Sequence, residues 1–129
     1  MPNRTIRVAI VVGYEWGKRD SESYERQAEN YRQHAENCSD EHVTYEPKIF
    51  SGKTASSEAY EWIKNHKGAI VFLSRNALRE AERILENLKS ERLHTRIRVW
   101  VFTGLLLDDR VNVLDIGMYD LDSWKYVAR

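Results

Sequence analysis

The stretch Ser51-Gly52-Lys53-Thr54 ends as a phosphate-binding loop ends, with Gly-Lys-Thr set between a strand-like and a helix-like segment. In that motif a second glycine, five residues before Gly52, lets backbone amides wrap the phosphates. Here that position is Pro47, which is rigid and has no amide hydrogen. The segment therefore reads as a polar loop feeding a helix, in which Lys53 and its neighbouring amides can still hold an anion. A second candidate is Gly13-Tyr14-Glu15-Trp16-Gly17. Its glycines lack the dinucleotide-binding spacing, yet the segment leaves the end of an apolar strand, where such folds place ligands. Tyr14 and Trp16 can stack there on a base, with Lys18 and Arg19 facing phosphate. The plainer alternative folds both rings back onto the core. Metal chemistry finds less support. Cys38 and His42 straddle a helix end, and no second ligand pair accompanies them, so neither a metal site nor a cofactor is assigned.

The elements that must position these residues are written in three apolar runs: Ile6–Val12, Ala69–Leu73 and Ile97–Phe102. Each is rich in β-branched or aromatic residues, as in strands buried on both faces. Between them the periodicity is helical. Helix one starts near Ser21 or Ser23 and runs to about Asn37, with Tyr24, Ala28, Tyr31, Ala35 and Cys38 along one face. His42–Phe50 is a poorer strand, and Pro47 places it at a sheet edge. Helix two spans Ser57–His66 with Ser57 as N-cap, and Gly68 supplies a left-handed cap after it. Helix three, about Asn76 to Arg92, turns Leu78, Ala81, Ile84, Leu85 and Leu88 inward. The last quarter leaves no room for another crossover helix. It offers a hairpin turning at Asp108–Arg110 or a short edge strand, then a terminal helical turn at Asp120–Ala128. The expected fold is a small three-layer α/β domain with four or five mostly parallel strands, in the order β-α-β-α-β-α-β plus that hairpin or edge strand.

Composition bounds the class. A chain of 129 residues fits one domain with one core. Twenty Lys and Arg balance twenty Asp and Glu, so there is no basic surplus to drive general nucleic-acid binding, although a local basic patch is compatible with it. Near-neutrality gives little repulsion between copies, which leaves a homo-oligomer open. No apolar run is long enough to span a bilayer, and the N-terminus enters the first strand without a cleavable apolar segment. With a single cysteine besides, a reducing cytoplasm is the expected location.

Around Val71-Phe72-Leu73-Ser74-Arg75-Asn76 the chain resembles a known family. Lys53 through Leu88 is similar to the middle of TIR-like domains: a glycine-containing loop before a helix, an apolar strand ending in Leu-Ser, then a further helix. The resemblance implies a flavodoxin-like parallel sheet. In the NAD-cleaving members that last helix carries a glutamate twelve residues after the serine, which here is Glu86. Where the family has small residues, tryptophan and cysteine, this helix has Glu80, Glu82 and Arg83. A helical wheel sets Glu86 about 150° from the apolar face and Glu82 about 110°, so geometry favours Glu82 where family spacing favours Glu86.

Three functions follow. The first is a TIR-like domain that binds or cleaves an NAD-type nucleotide in signalling or defence. The ribose would lie near Ser74, the base on Trp16 or Tyr14, and Glu82 or Glu86 would stabilise developing positive charge. The second is a sensor or ring-nuclease-like domain for small cyclic nucleotides, held through Lys18, Arg19, Lys53 and Arg75 at a dimer interface. The third is a non-catalytic interaction module presenting Trp100 or Trp124.

Overall fold

Isoleucine and valine at nearly every position of Ile6–Val12 leave no polar face, so this run must be covered on both sides. In the computed structural model, which describes residues 4–13, 18–37, 39–73, 77–93, 96–102 and 113–115, it becomes the strand between two neighbours. The chain runs β1 (Arg4–Val12), α1 (Lys18–Asn37), β2 (Val43–Ser51), α2 (Ala55–Ile63), β3 (Gly68–Leu73), α3 (Ala77–Ser90), β4 (Ile97–Phe102) and β5 (Val113–Asp115). The sheet order is β2-β1-β3-β4-β5, and all four pairings are parallel. This is the flavodoxin-like order, whose direction reverses between β1 and β3. Among the described residues the last strand, β5, is a parallel edge strand, and Leu105–Leu107, which a hairpin would pair, lie outside them. Asp108–Arg110 and Asp120–Ala128 lie outside the described residues.

Alternation within the strands sorts the core into two layers. Ile6, Val8, Ile10 and Val12 face α1 together with Val71, Leu73 and Trp100; there α1 contributes Ala28, Tyr31 and Ala35. Ala9, Val11, Ile70, Phe72, Ile97 and Val99 face α2 and α3, which contribute Ala59, Ile63, Ala81, Ile84, Leu85 and Leu88. The small alanines let α1 lie close to the sheet. Trp100 is fully buried, which removes it as an exposed anchor for a partner; Trp124 lies outside the described residues.

Four local expectations are corrected. First, α1 begins at Lys18, ahead of both serines that resemble caps. Second, α2 begins at Ala55 with Thr54 as N-cap, and Ser57 is exposed within the helix. Gly52, at φ 100°, turns the chain sharply enough for Ala55 and Ser56 to tuck inward at once. Third, α2 stops at Ile63, short of His66. Fourth, Gly68 is not a left-handed cap. It opens β3, where a Cβ would run into the Arg7 carbonyl of β1 and stand 2.9 Å from Ile63 Cδ1. Only glycine permits so close an approach.

The edge strand β2 is closed to further pairing over its first half. Its even-numbered residues bond to β1, as the Arg4 amide to His42 carbonyl bond requires, so its odd-numbered residues face outward. The Val43 amide is taken by Asp40 Oδ1 at 2.8 Å and the Tyr45 amide by Ser39 Oγ at 2.9 Å, while Pro47 has no hydrogen to offer. Pro47 thus sits inside a strand opposite Val8, far from the loop where a phosphate-binding glycine would stand.

Candidate functional site

The strands end level. Ser51 is in register with Val12, Val12 with Leu73, and Leu73 with Phe102, so four chain exits form one row at the carboxyl edge. The Gly13 amide donates to the Leu73 carbonyl at 3.0 Å, which holds the exits of β1 and β3 side by side at the reversal point of the sheet. Open parallel sheets bind ligands there because the flanking helices diverge to opposite faces and leave a crevice.

The β2–α2 loop borders this crevice. Ser51, Gly52, Lys53 and Thr54 are all exposed, and the Ala55 amide bonds back to the Gly52 carbonyl at 3.3 Å. Thr54 makes no side-chain bond to a helix amide; its hydroxyl donates to Glu58 Oε1 at 2.8 Å instead. Further in, the buried Ser56 donates to Glu80 Oε2 at 3.2 Å, which ties the first turn of α2 to the first turn of α3. Glu80 is half-buried.

The helix-three glutamates are therefore graded by depth. Along an axis rising ~1.5 Å per residue, Glu80 stands roughly 5 Å and Glu82 roughly 8 Å from the start of α3, and Glu86 roughly 13 Å. Glu82 is half-buried with its Oε1 shielded from solvent, and Glu86 is exposed. Fold geometry thus brings Glu80 and Glu82, but not Glu86, toward the row of strand exits. Glu80 had no signal of its own in the sequence beyond standing in the first turn of a helix. Its bond to Ser56 is a contact between residues 24 apart.

Of the other candidate residues, Lys53 stands at the crevice rim. Lys18 and Arg19 form the first turn of α1, the helix that follows the β1 exit. Tyr14, Trp16, Ser74 and Arg75 lie outside the described residues, as do Cys38 and His94. His42 is exposed, and among the described residues no three His, Cys, Asp or Glu side chains gather as metal ligands. A separate groove of about 410 Å³ runs between α2 and α3, lined by Ser57, Tyr60, Glu61, Arg83, Ile84 and Asn87. Its floor residues Tyr60 and Ile84 are already buried in the core, and the Tyr60 hydroxyl donates to the Asn87 carbonyl at 3.4 Å.

No family model matches the chain, and no curated protein matches it. Among solved structures, the fold is similar to that of a putative lipoprotein from Peptoclostridium difficile 630 (a fragment). The TM-score is 0.60 and the identity 11%, over 95% of this chain and 93% of that one. At that identity the likeness concerns the fold alone, and it agrees with the flavodoxin-like α/β order traced above. Among the described residues no helix is long and apolar enough to cross a membrane.

Proposed function

We propose that this chain is a TIR-like nucleotide-binding domain that takes an NAD-type ligand across the carboxyl edge of its sheet. The observation that supports the reading is the level row of strand exits at the β1/β3 reversal, flanked by an exposed Gly-Lys-Thr loop and by the start of α3, where Glu80 and Glu82 are each half-buried. A nucleotide laid over this row meets Lys53 on one side, which suits a phosphate. At the start of α3 it meets Glu80 on the side tied to Ser56 and Glu82 on the far side of the helix. Either carboxylate suits the positive charge that develops on a ribose when its bond to nicotinamide breaks. Low exposure strengthens such a carboxylate, because less water competes for it. Glu86, the residue at the family spacing, is solvated and too far along the helix for this task.

The test is a thermal-shift panel of NAD, related dinucleotides and cyclic nucleotides, followed by chromatography for released nicotinamide. A ligand at ~100 times its Kd adds about 2.7 kcal/mol to the stability of the folded state, an easily measured rise in Tm. The expected result is a shift with NAD and nicotinamide release that falls at least tenfold in Glu80→Gln or Glu82→Gln and is kept in Glu86→Gln. No shift with any nucleotide would overturn the reading, and release lost only in Glu86→Gln would overturn the placement of the glutamates.

A further inference from the structure

The amino edge of the sheet, opposite the proposed nucleotide site, gathers cations. Gly68 and Ile97 are in register at the starts of β3 and β4, and the Gly68 amide donates to the Arg96 carbonyl at 3.2 Å. Lys67 and Arg96 are therefore neighbours across the sheet, and Arg98 stands one residue farther into β4. The C-terminus of α3 returns to the same place, because the Arg96 and Ile97 amides both bond to the Leu93 carbonyl. It brings Lys89 and Arg92. Among the described residues this edge carries five cations and one carboxylate, Glu91, with Lys89 and Arg92 on the α3 side of the sheet and Arg98, in register with Ala69, on the α1 side. Lys89, Arg92, Arg96 and Arg98 are exposed. Beside them Arg7 donates to the Trp62 carbonyl at 2.8 Å, and Lys64 pairs with Glu61 at 3.0 Å.

Two of the five, Lys89 and Arg92, complement the negative end of the α3 dipole, but Arg96 and Arg98 are on no helix. Arg92 also occupies an awkward position. The Leu93 amide bonds to the Leu88 carbonyl at 2.7 Å and the Arg92 amide to the Lys89 carbonyl at 3.1 Å, which is a Schellman ending with Arg92 at its left-handed residue, φ 60°. Glycine is the favoured occupant there, so the arginine is held against the backbone's preference.

We infer that this amino edge is a binding surface for the phosphodiester backbone of a nucleic acid. Among the described residues the exposed surface of this edge is polar, since Leu93 turns back onto the core, whereas a protein partner would need an apolar or aromatic anchor at its centre. Nucleic acids bind chiefly through phosphate neutralisation and need none. Three of the five cations are arginines, whose planar fork matches a phosphate. The chain's zero net charge makes the attraction local, so binding is salt-sensitive and lacks sequence preference.

The experiment is fluorescence anisotropy with a labelled single-stranded RNA and a DNA duplex of about 20 units, titrated with the full chain. At about 50 mM salt, micromolar binding is expected for at least one probe, with log K falling against log salt at a slope of about −3. Arg96→Glu combined with Arg98→Glu weakens it at least tenfold. Arg26→Glu with Arg83→Glu changes the charge equally on exposed helix surfaces elsewhere and leaves binding within about threefold. Arg92→Gly weakens binding while Tm holds or rises, an outcome that a merely structural arginine would not give. The inference is overturned if neither probe binds at about 100 µM protein, if both double variants lose binding equally, or if a polyglutamate peptide binds more tightly than either nucleic acid.

Discussion

The two ends of the parallel strands are built on opposite principles. At the amino end, backbone and side chains are locked together. Gly68 meets the Arg7 carbonyl without room for a Cβ. The Arg7 guanidinium closes the end of α2 by bonding the Trp62 carbonyl while lying 4.7 Å over its ring, and it reaches Glu46 at 4.0 Å. From Trp62 the stack continues along β2 toward the carboxyl end, with the Phe50 and Trp62 rings 5.6 Å apart and the Lys48 ammonium 5.2 Å from the Phe50 ring. At the carboxyl end the strands stop level and hand over to loops. Among the described residues the hydrogen bond that links α2 and α3 there runs from the Ser56 hydroxyl to Glu80. The amino end is tied by backbone and side chains, whereas at the carboxyl end the described β2–α2 loop is exposed. This is the usual division of labour in α/β domains, where a rigid scaffold presents exposed connections.

Substitutions can break or sharpen that contrast. The largest effect belongs to Gly68→Ala. The added methyl meets backbone, which cannot swing aside, so a loss of about 3 kcal/mol or more is expected in urea unfolding. A Gly68→Ala variant as stable as the parent would show that β1 and β3 separate easily and that the amino end is not the rigid one. Ser56→Ala should cost only about 1 kcal/mol, the worth of one hydrogen bond, while weakening any nucleotide shift through loss of the Glu80 contact. If the stability loss approached that of Gly68→Ala, the carboxyl end would be as structural as the amino end.

The smallest effect lies at the strand edge. Asp40 Oδ1 accepts from the His42 and Val43 amides at 2.7 and 2.8 Å, and these bonds hold its carboxyl below the ordinary carboxylate value. A depressed folded-state pKa contributes stability that is complete above the ordinary carboxylate range and is lost as pH falls through the folded value. Asp40→Ala should therefore lower Tm slightly at neutral pH and flatten its acid-side decline. The same pH slope in parent and variant would show that these bonds add nothing to the edge.

Much of the fold was legible in the chain. Val, Ile and aromatic runs long enough for a strand but too short for a helix specify buried parallel strands, and Pro47 marks β2 as an edge. The inward face of α3 followed from Ala81, Ile84, Leu85 and Leu88 at helical spacing. Helix starts were less legible, because serine caps are weak signals. Ala55 opens its helix where the turn set by Gly52 allows. Gly68 illustrates the same limit: sequence marks it as special, yet a left-handed turn and a close strand approach call for the same residue.

The candidate site was legible in part. Its location follows from strand order, and Lys53 and Glu82 from residue type and helical phase. The pairing of Ser56 with Glu80 was not, since it joins two helices that meet only after the sheet assembles. The gathering of Lys67, Lys89, Arg92, Arg96 and Arg98 depends in the same way on parallel register, which sets the starts of β3 and β4 beside the end of α3. Local pattern by itself determined the elements and which faces are apolar, because those depend on periods of two and 3.6 residues. Which charges meet at each end of the sheet was decided only by tertiary structure, because crossover connections bring together residues that no local spacing relates.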